Sequence, residues 1–384
     1  MTRLKRLFFY AVLSTPLIVL YLILGSLGYR FYEISLISSD DVEIPRTPDR
    51  FIQTPQSKQH FSEVLNSVKT SHPGAESNDE EHFLIGLFGA SSLVVPERGR
   101  AFPQKLEDSL RDFKIEGRSI RVLNFGYPGM VSATVGGMAV DALDRFPLDL
   151  MVFYAGHNDY TAIFSLILES HFHPFPPWAD TLNRWLMGER IKSDANWRHH
   201  MKNVRNPALA KWLLEFGVIQ LDESLKLRAD MEINARILKV FESIVERAAQ
   251  KKVPVVLVPP VSNLNIEPIS VNGKGEDAYA KALETVDPEE RIGWLKQARD
   301  EDLFNGMIRA KSSLGDTFRE FSGDQLCHVD LEARLIKAGF LFDSSVFSDE
   351  VHFTEEGHER IAEALDGALR EISFCRSTPE QPSP

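Results

Sequence analysis

Short apolar runs alternate with stretches of helical periodicity from residue 83 onward, and this alternation limits the folds that the chain can adopt. The apolar runs predict five strands, at 83–88, 120–125, 148–154, 253–258 and 326–329. Apolar residues at helical spacing predict helices near 103–113, 133–145, 229–251, 300–321 and 355–371. Strands that alternate with helices favour an α/β fold, in which a five-stranded parallel sheet carries helices on both faces.

Two long stretches interrupt the alternation, at about 160–227 and about 261–296, and we interpret them as insertions in a single domain of residues 81–376. The first insertion begins directly after the third predicted strand and is rich in Phe, Pro and Trp. It is either a lid over a site at the strand end or a packing surface for its own helices. Residues 377–384 are predicted to be a disordered tail.

The amino-terminal part of the chain differs from the rest. Residues 1–6 are basic, and residues 7–29 contain no charged side chain, so this segment can cross a hydrocarbon core of about 30 Å as a helix. The basic start favours a cytoplasmic amino terminus. We therefore predict a single-pass membrane anchor with the body outside the cytoplasm, while the small residues at 25–28 leave cleavage as a signal peptide open. Residues 30–80 are predicted to be a polar stalk with a short helix near 61–68.

The net charge of the whole chain is −12, which argues against nucleic acid and against a broad anionic membrane surface as partners. The two cysteines, Cys327 and Cys375, could form one disulfide outside the cytoplasm or remain free thiols. His171, His173 and His328 lack a well-placed further ligand for zinc. We therefore predict neither a metal site nor a cofactor.

Polar or small residues follow the first three predicted strands, and a carboxylate and a histidine precede the last helix. Ser91 follows the first strand, Gly126 the second and Asn158 the third. Because the carboxyl ends of parallel strands meet at one edge of a sheet, we expect these residues to lie close together. Asp349 and His352 are spaced so that the carboxylate can hold one ring nitrogen while the other faces a nucleophile.

These residue types are the parts of an acyl-transfer site. Ser91 is the expected nucleophile, His352 its base and Asp349 the group that orients His352. The expected donors to the oxyanion are the N–H groups of Ser91 and Gly126 and the side-chain amide of Asn158.

Two neighbouring residues could be confused with these. Ser92 is the alternative nucleophile, but we prefer Ser91. His157 is interpreted as a wall of the pocket rather than as a base.

The same residues fall into four short blocks, each at the end of a predicted element. The blocks are Gly-Ala-Ser at 89–91, Asn-Phe-Gly at 124–126, Gly-His-Asn-Asp at 156–159 and Asp-Glu-Val-His at 349–352. In type and order they resemble the four blocks of the SGNH (GDSL-type) hydrolases. The segment 253–263 also resembles a bacterial subgroup of that family.

The resemblance implies a flavodoxin-like three-layer sandwich. It also assigns the four name-giving roles to Ser91, Gly126, Asn158 and His352, with Asp349 as the acid of the triad. One departure concerns the first block, where Ala90 stands in place of the family's usual Asp. This change removes a carboxylate beside the nucleophile but no member of the expected triad.

The expected function is that of a membrane-anchored, extracytoplasmic serine esterase that acts on an ester-linked acyl group of a small molecule or a glycan. Two alternatives remain open. One is an acyltransferase, in which a hydroxyl group replaces water and the same acyl-enzyme forms. The other is a non-catalytic binding or scaffold protein that has kept the fold.

Overall fold

The computed structural model of the chain describes residues 55–77, 81–94, 100–160, 223–270, 273–302, 309–321, 325–340 and 345–371. The predicted anchor, the first part of the stalk, almost all of the first insertion and the tail lie outside these residues. By their contacts, nearly all of the described residues belong to one compact unit. None of the described helices combines the length and apolar character that crossing a membrane requires.

The centre of the fold is a single β-sheet. The described strands are β1 (His82–Gly89), β2 (Lys114–Ile115), β3 (Arg118–Gly126), β4 (Leu150–Tyr154), β5 (Val255–Leu257) and β6 (Leu326–His328). Their order across the sheet is β2-β3-β1-β4-β5-β6. The pairs among β1, β3, β4, β5 and β6 are parallel, and only β2 is antiparallel to its neighbour.

The sheet is thus mixed and six-stranded, whereas we predicted five parallel strands. The additional strand, β2, is two residues long and returns into β3 through Glu116 and Gly117, whose φ angles are 54° and 81°. The five predicted strands are all present. Without β2, the parallel strands lie in the order second, first, third, fourth, fifth, which is the flavodoxin-like order with its reversal between β1 and β4.

The described helices are α1 (Pro55–Ser71), α2 (Phe102–Ser109), α3 (Ser132–Arg145), α4 (Glu223–Gln250), α5 (Lys274–Glu284), α6 (Pro288–Glu301), α7 (Ser312–Glu320), α8 (Leu331–Lys337) and α9 (Glu355–Glu371). The stretch 261–296, which we interpret as an insertion, contains α5 and much of α6. One predicted helix needs correction. The predicted helix 300–321 is divided, since α6 ends at Glu301 and α7 begins at Ser312.

Both faces of the sheet are covered by helices, which makes three layers. On one face, alternate residues of β1 such as Ile85 and Leu87 belong to a buried cluster that includes Leu106 of α2 and Leu365 of α9. Strands buried on both faces read as continuous apolar runs, and this is why the sequence predicted them.

The opposite face carries a row of five phenylalanine rings, which we call the aromatic row. Phe125 stacks on Phe88 at 4.7 Å between ring centroids, and Phe88 stacks on Phe153 at 5.1 Å. Phe153 meets Phe241 of α4 edge to face at 5.4 Å, and Phe241 meets Phe318 of α7 at 5.1 Å. The row joins three strands to two helices from the second half of the chain.

Helix α1 belongs to this body, although we predicted residues 30–80 to be a stalk. Phe61, Leu65 and Val68 on one face of α1 are buried, and the helix packs against β3 and α3. His60 also stacks on Tyr127, with 4.5 Å between the ring centroids. The folded body therefore begins no later than α1 and not at residue 81.

At the other edge of the sheet, Cys327 of β6 is disulfide-bonded. The chain contains one other cysteine, Cys375, which lies outside the described residues. Of the two alternatives that the sequence left open for these cysteines, the disulfide agrees with the structure.

Candidate active site

The turn after β1 places two adjacent serines at the carboxyl edge of the sheet. β1 ends at Gly89, where a Cβ atom would lie 2.4 Å from the Tyr154 carbonyl oxygen, so only glycine fits. The chain then enters a short 3₁₀ turn, Ser91–Leu93. The hydroxyl of Ser92 is buried and donates to the Val351 carbonyl at 3.3 Å, whereas Ser91 faces a different group.

That group is the imidazole of His352. The Oγ atom of Ser91 lies 2.8 Å from Nε2 of His352, and Nδ1 of the same ring lies 2.6 Å from Oδ2 of Asp349. Because the Asp349 carboxylate accepts a hydrogen bond from Nδ1–H, Nε2 is left to accept the proton of the serine hydroxyl. The structure therefore brings Ser91, His352 and Asp349 into one hydrogen-bonded line from elements far apart in the chain.

Hydrogen bonds also determine the pKa values of His352 and Asp349. The bond to Asp349 raises the pKa of His352 above its ordinary value, although burial acts in the opposite direction. Burial by itself would raise the pKa of Asp349, but three hydrogen bonds hold that pKa below its ordinary value. They come from the His352 ring and from the N–H groups of Val351 and His352, which donate to Asp349 Oδ1 at 2.9 and 2.7 Å. Asp349 is thus an anion that stabilises the protonated ring.

The predicted oxyanion donors differ in whether their N–H groups already donate to other acceptors. The N–H of Ser91 opens the 3₁₀ turn, where no carbonyl within the turn can accept it. Asn158 uses its amide nitrogen to donate to the Met130 carbonyl at 2.8 Å, which leaves the second amide hydrogen for another acceptor.

The N–H of Gly126, in contrast, donates to Oδ1 of Asn124 at 2.9 Å. A nearby side chain thus competes for this N–H, and the role of Gly126 as a donor stays a prediction. A Cβ atom at this position would lie 2.5 Å from Leu93 Cβ, so the glycine is needed for the close approach of the serine turn.

Asn158 and Asp159 together hold the segment between β3 and α3. Asp159 accepts from the N–H of Ser132 at 3.0 Å and from its hydroxyl at 2.8 Å, at the start of α3. Burial raises the pKa of Asp159 to about 6, and the bonds from Ser132 oppose that rise. The two neighbouring side chains therefore fix the turn at Met130 and at Ser132.

The other histidines near this edge have structural partners. His157 is buried between the Val261 carbonyl, 3.0 Å from Nε2, and the Ala310 N–H, which donates to Nδ1 at 3.3 Å. Two such partners fit a neutral ring that packs behind the site. His328 lies 2.7 Å from the Phe321 carbonyl, and His171 and His173 lie outside the described residues. Within the described residues, no group of three His, Cys, Asp or Glu side chains could hold a metal ion.

One residue at the site escaped the sequence analysis. Asn263 follows β5 and donates to the carbonyl groups of Asp349 and Glu350, from Nδ2 at 3.3 Å and from its backbone N–H at 2.9 Å. An asparagine in a loop has no pattern that reveals a backbone contact to a distant segment. Only the three-dimensional structure brings it beside the triad.

No protein-family model matches the chain, and no curated protein matches it. Solved structures do. A GDSL-like lipase from Bacteroides thetaiotaomicron is 10% identical, with a TM-score of 0.37, and covers 81% of this chain and 98% of its own. A lipase/acylhydrolase from Enterococcus faecalis is 14% identical, with a TM-score of 0.34, over 78% of this chain and 99% of its own. An alpha/beta hydrolase enzyme from the metagenome of Lake Arreo, Spain, is 15% identical, with a TM-score of 0.38, over 79% of this chain and 100% of its own.

All three identities are 15% or lower, and all three TM-scores are 0.38 or lower. The structures to which this chain is similar include GDSL-like hydrolases, the family that its four sequence blocks resemble.

Proposed function

We propose that this protein is a serine esterase that hydrolyses an ester-linked acyl group. The observation that carries the proposal is the line from Ser91 Oγ through the His352 ring to the Asp349 carboxylate, with both hydrogen bonds at or below 2.8 Å. A serine hydroxyl gains nucleophilic strength from an adjacent base, and the base keeps its orientation when a third group holds it.

In the first half of the reaction, Ser91 Oγ forms a bond to the ester carbonyl carbon while its proton passes to Nε2 of His352. The carbonyl oxygen takes up the negative charge and is stabilised by the Ser91 N–H and the Asn158 amide. The third donor is the N–H of Gly126, which must leave its present partner, Oδ1 of Asn124, to reach the oxyanion. When the carbon–oxygen bond breaks, His352 returns its proton to the leaving alcohol.

In the second half, water attacks the acyl-serine with His352 again as base, and the acid is released. If a hydroxyl group of a second substrate enters instead of water, the same intermediate gives acyl transfer. Nothing in the triad separates these two outcomes, so the acyltransferase stays as the second candidate. A groove of about 370 Å³ lies between α1 and β3 and reaches Gly126 and Tyr127.

The proposal extends to location. Residues 7–29 are uncharged after a basic start, which supports a membrane anchor with the body outside the cytoplasm. The disulfide of Cys327 supports an oxidising compartment. Substrates there would be small esters or acylated glycans rather than nucleic acid, in keeping with the net charge of −12.

An activated fluorophosphonate probe tests the proposed function. The full-length protein should react once per chain, at Ser91, and Ser91→Ala should abolish the reaction. Ser92→Ala is the matched control, since the neighbouring hydroxyl is bonded to Val351, and it should still be labelled. Labelling that survives in Ser91→Ala but is lost in Ser92→Ala would overturn the choice of nucleophile. A folded protein that reacts with no probe would favour the scaffold alternative.

A further inference from the structure

The segment that carries Asp349 and His352 is a loop, residues 345–354, which is held by hydrogen bonds within it and by contacts to other parts of the chain. Three successive carbonyl groups of this loop accept hydrogen bonds from outside it. Asp349 and Glu350 accept from Asn263, and Val351 accepts from Ser92. The loop is thus held on one side by the segment after β5 and on the other by the turn that carries the nucleophile.

Each polar atom of Asn263 has a hydrogen-bond partner. Its Nδ2 donates to the Asp349 carbonyl at 3.3 Å and its backbone N–H to the Glu350 carbonyl at 2.9 Å. Its Oδ1 accepts from the N–H of Asn265 at 2.9 Å, and its own carbonyl accepts from Arg309 Nη1 at 3.0 Å. Partners at both ends of the side-chain amide fix its orientation, so Asn263 can set the position of what it binds.

The support behind Asn263 is a buried ion pair. The side chains of Arg309 and Asp302 are both fully buried and pair with each other. Asp302 Oδ1 also accepts from the N–H of Ile269 at 3.0 Å, so the pair holds the segment after β5 at two points, Asn263 and Ile269. Removing one partner of such a pair is strongly destabilising, because the other charge is left without a partner. The ion pair therefore fixes the backbone segment that carries Asn263.

We propose that Asn263 is a positioning residue for the triad, which holds the Asp349 backbone so that its carboxylate stays against His352. This inference rests on the proposed esterase function. It assigns to Asn263 no contact with substrate. Its effect should appear in the rate of the chemical step, since a displaced carboxylate orients and stabilises the imidazolium less well in the transition state.

Two substitutions separate this role from a merely structural one. Asn263→Leu removes both side-chain contacts, whereas Asn263→Asp keeps the acceptor for the Asn265 N–H and loses only the donor to Asp349. If Asn263 serves only its own loop, Asn263→Asp should behave like the wild type. If it positions the triad, both variants should lower kcat by between about 10-fold and 100-fold, with KM within about twofold of the wild type.

Asn265→Asp is the matched control. It places the same new charge in the same loop, at an exposed side chain whose partner is the hydroxyl of Tyr279, 3.3 Å away. This variant should keep the wild-type kcat. Melting temperatures of all variants should be measured in parallel, and a fall in melting temperature with unchanged kcat in Asn263→Asp would overturn the proposal.

A second readout does not depend on catalysis. A proton NMR spectrum of the full-length protein should contain a low-field signal from the Nδ1 proton that His352 shares with Asp349, assigned by its loss in His352→Gln. The signal should weaken or move upfield in both Asn263 variants and persist in Asn265→Asp. A wild-type protein that hydrolyses no ester and reacts with no serine probe would refute the proposed function. Even in that case the NMR signal would test the role of Asn263. An unchanged signal in Asn263→Asp would refute the proposal that Asn263 positions the triad.

Discussion

Single residues at this site differ in how far their chemistry could be read from the sequence. Ser91, Asp349 and His352 were predicted from their positions at element ends, and the structure places both Ser91 and Asp349 within hydrogen-bond distance of His352. The role of Gly126 could not be judged in the same way. Whether its N–H is available depends on the side chain of Asn124, and no spacing rule reports such local competition.

The raised pKa of His352 leads to a prediction about pH. His352 must be neutral to accept the serine proton, so the acid limb of kcat/KM should have its midpoint above the ordinary histidine value of about 6.5. Asp349→Asn removes the main cause of the shift. It should therefore move the midpoint to lower pH and reduce kcat by on the order of 1,000-fold or more. A pH profile of kcat/KM between about pH 4 and pH 9 measures both effects.

Glu350 is the suitable control, because it is the other carboxylate that raises the pKa of His352, and it acts only by its charge. Glu350→Gln should lower the midpoint slightly and leave kcat on the alkaline plateau unchanged. A wild-type acid limb whose midpoint lies at or below the ordinary histidine pKa would contradict the raised pKa of His352.

At the scale of elements, β1, β4 and β5 were the most predictable strands, because they are buried on both faces and read as continuous apolar runs. The hydrophobic pattern does not reveal an element that is short or mostly exposed to solvent. β2 has only two residues, and α6 is rich in charge with few buried positions, among them Ile292 and Leu295. The packing of α1 against the folded body was missed for another reason. Its polar and proline-containing surroundings suggested a stalk, and the surface that its apolar face covers cannot be seen in one dimension.

The position of α1 can be tested by its contribution to stability. Phe61 is 1% exposed on the face that packs against the body, so Phe61→Ala should reduce the free energy of unfolding by about 3–5 kcal/mol. Asn66 lies on the exposed face of the same helix, and Asn66→Ala should change it by no more than about 0.5 kcal/mol. Urea unfolding of the three proteins provides the comparison. Equal stabilities would mean that the helix is part of a stalk, as the sequence first indicated.

At the scale of the whole molecule, the order of the strands explains where the site lies. The reversal between β1 and β4 opens a crevice at the carboxyl edge, and Ser91 follows β1 while Asn158 follows β4. Alternation of elements was enough to predict this layered architecture. The membrane anchor remains a prediction, because residues 7–29 lie outside the described part of the chain.

Topology is therefore the property to test on intact cells. Protease added from the extracytoplasmic side should digest or release the body, and a cytoplasmic protein examined in the same sample should stay intact. Cys327 should resist alkylation until a reductant is added, as a disulfide in an oxidising compartment would. A protected body, or a mature amino terminus near residue 29, would count against an anchor in this orientation.

The aromatic row also sets a limit on when the chain can finish folding. Its first ring is Phe88 and its last is Phe318, so one face of the sheet cannot close until most of the polypeptide has left the ribosome. Contacts between such distant segments form slowly, because a long loop must close before they are made. Until then the nascent chain exposes the strands that the row will cover.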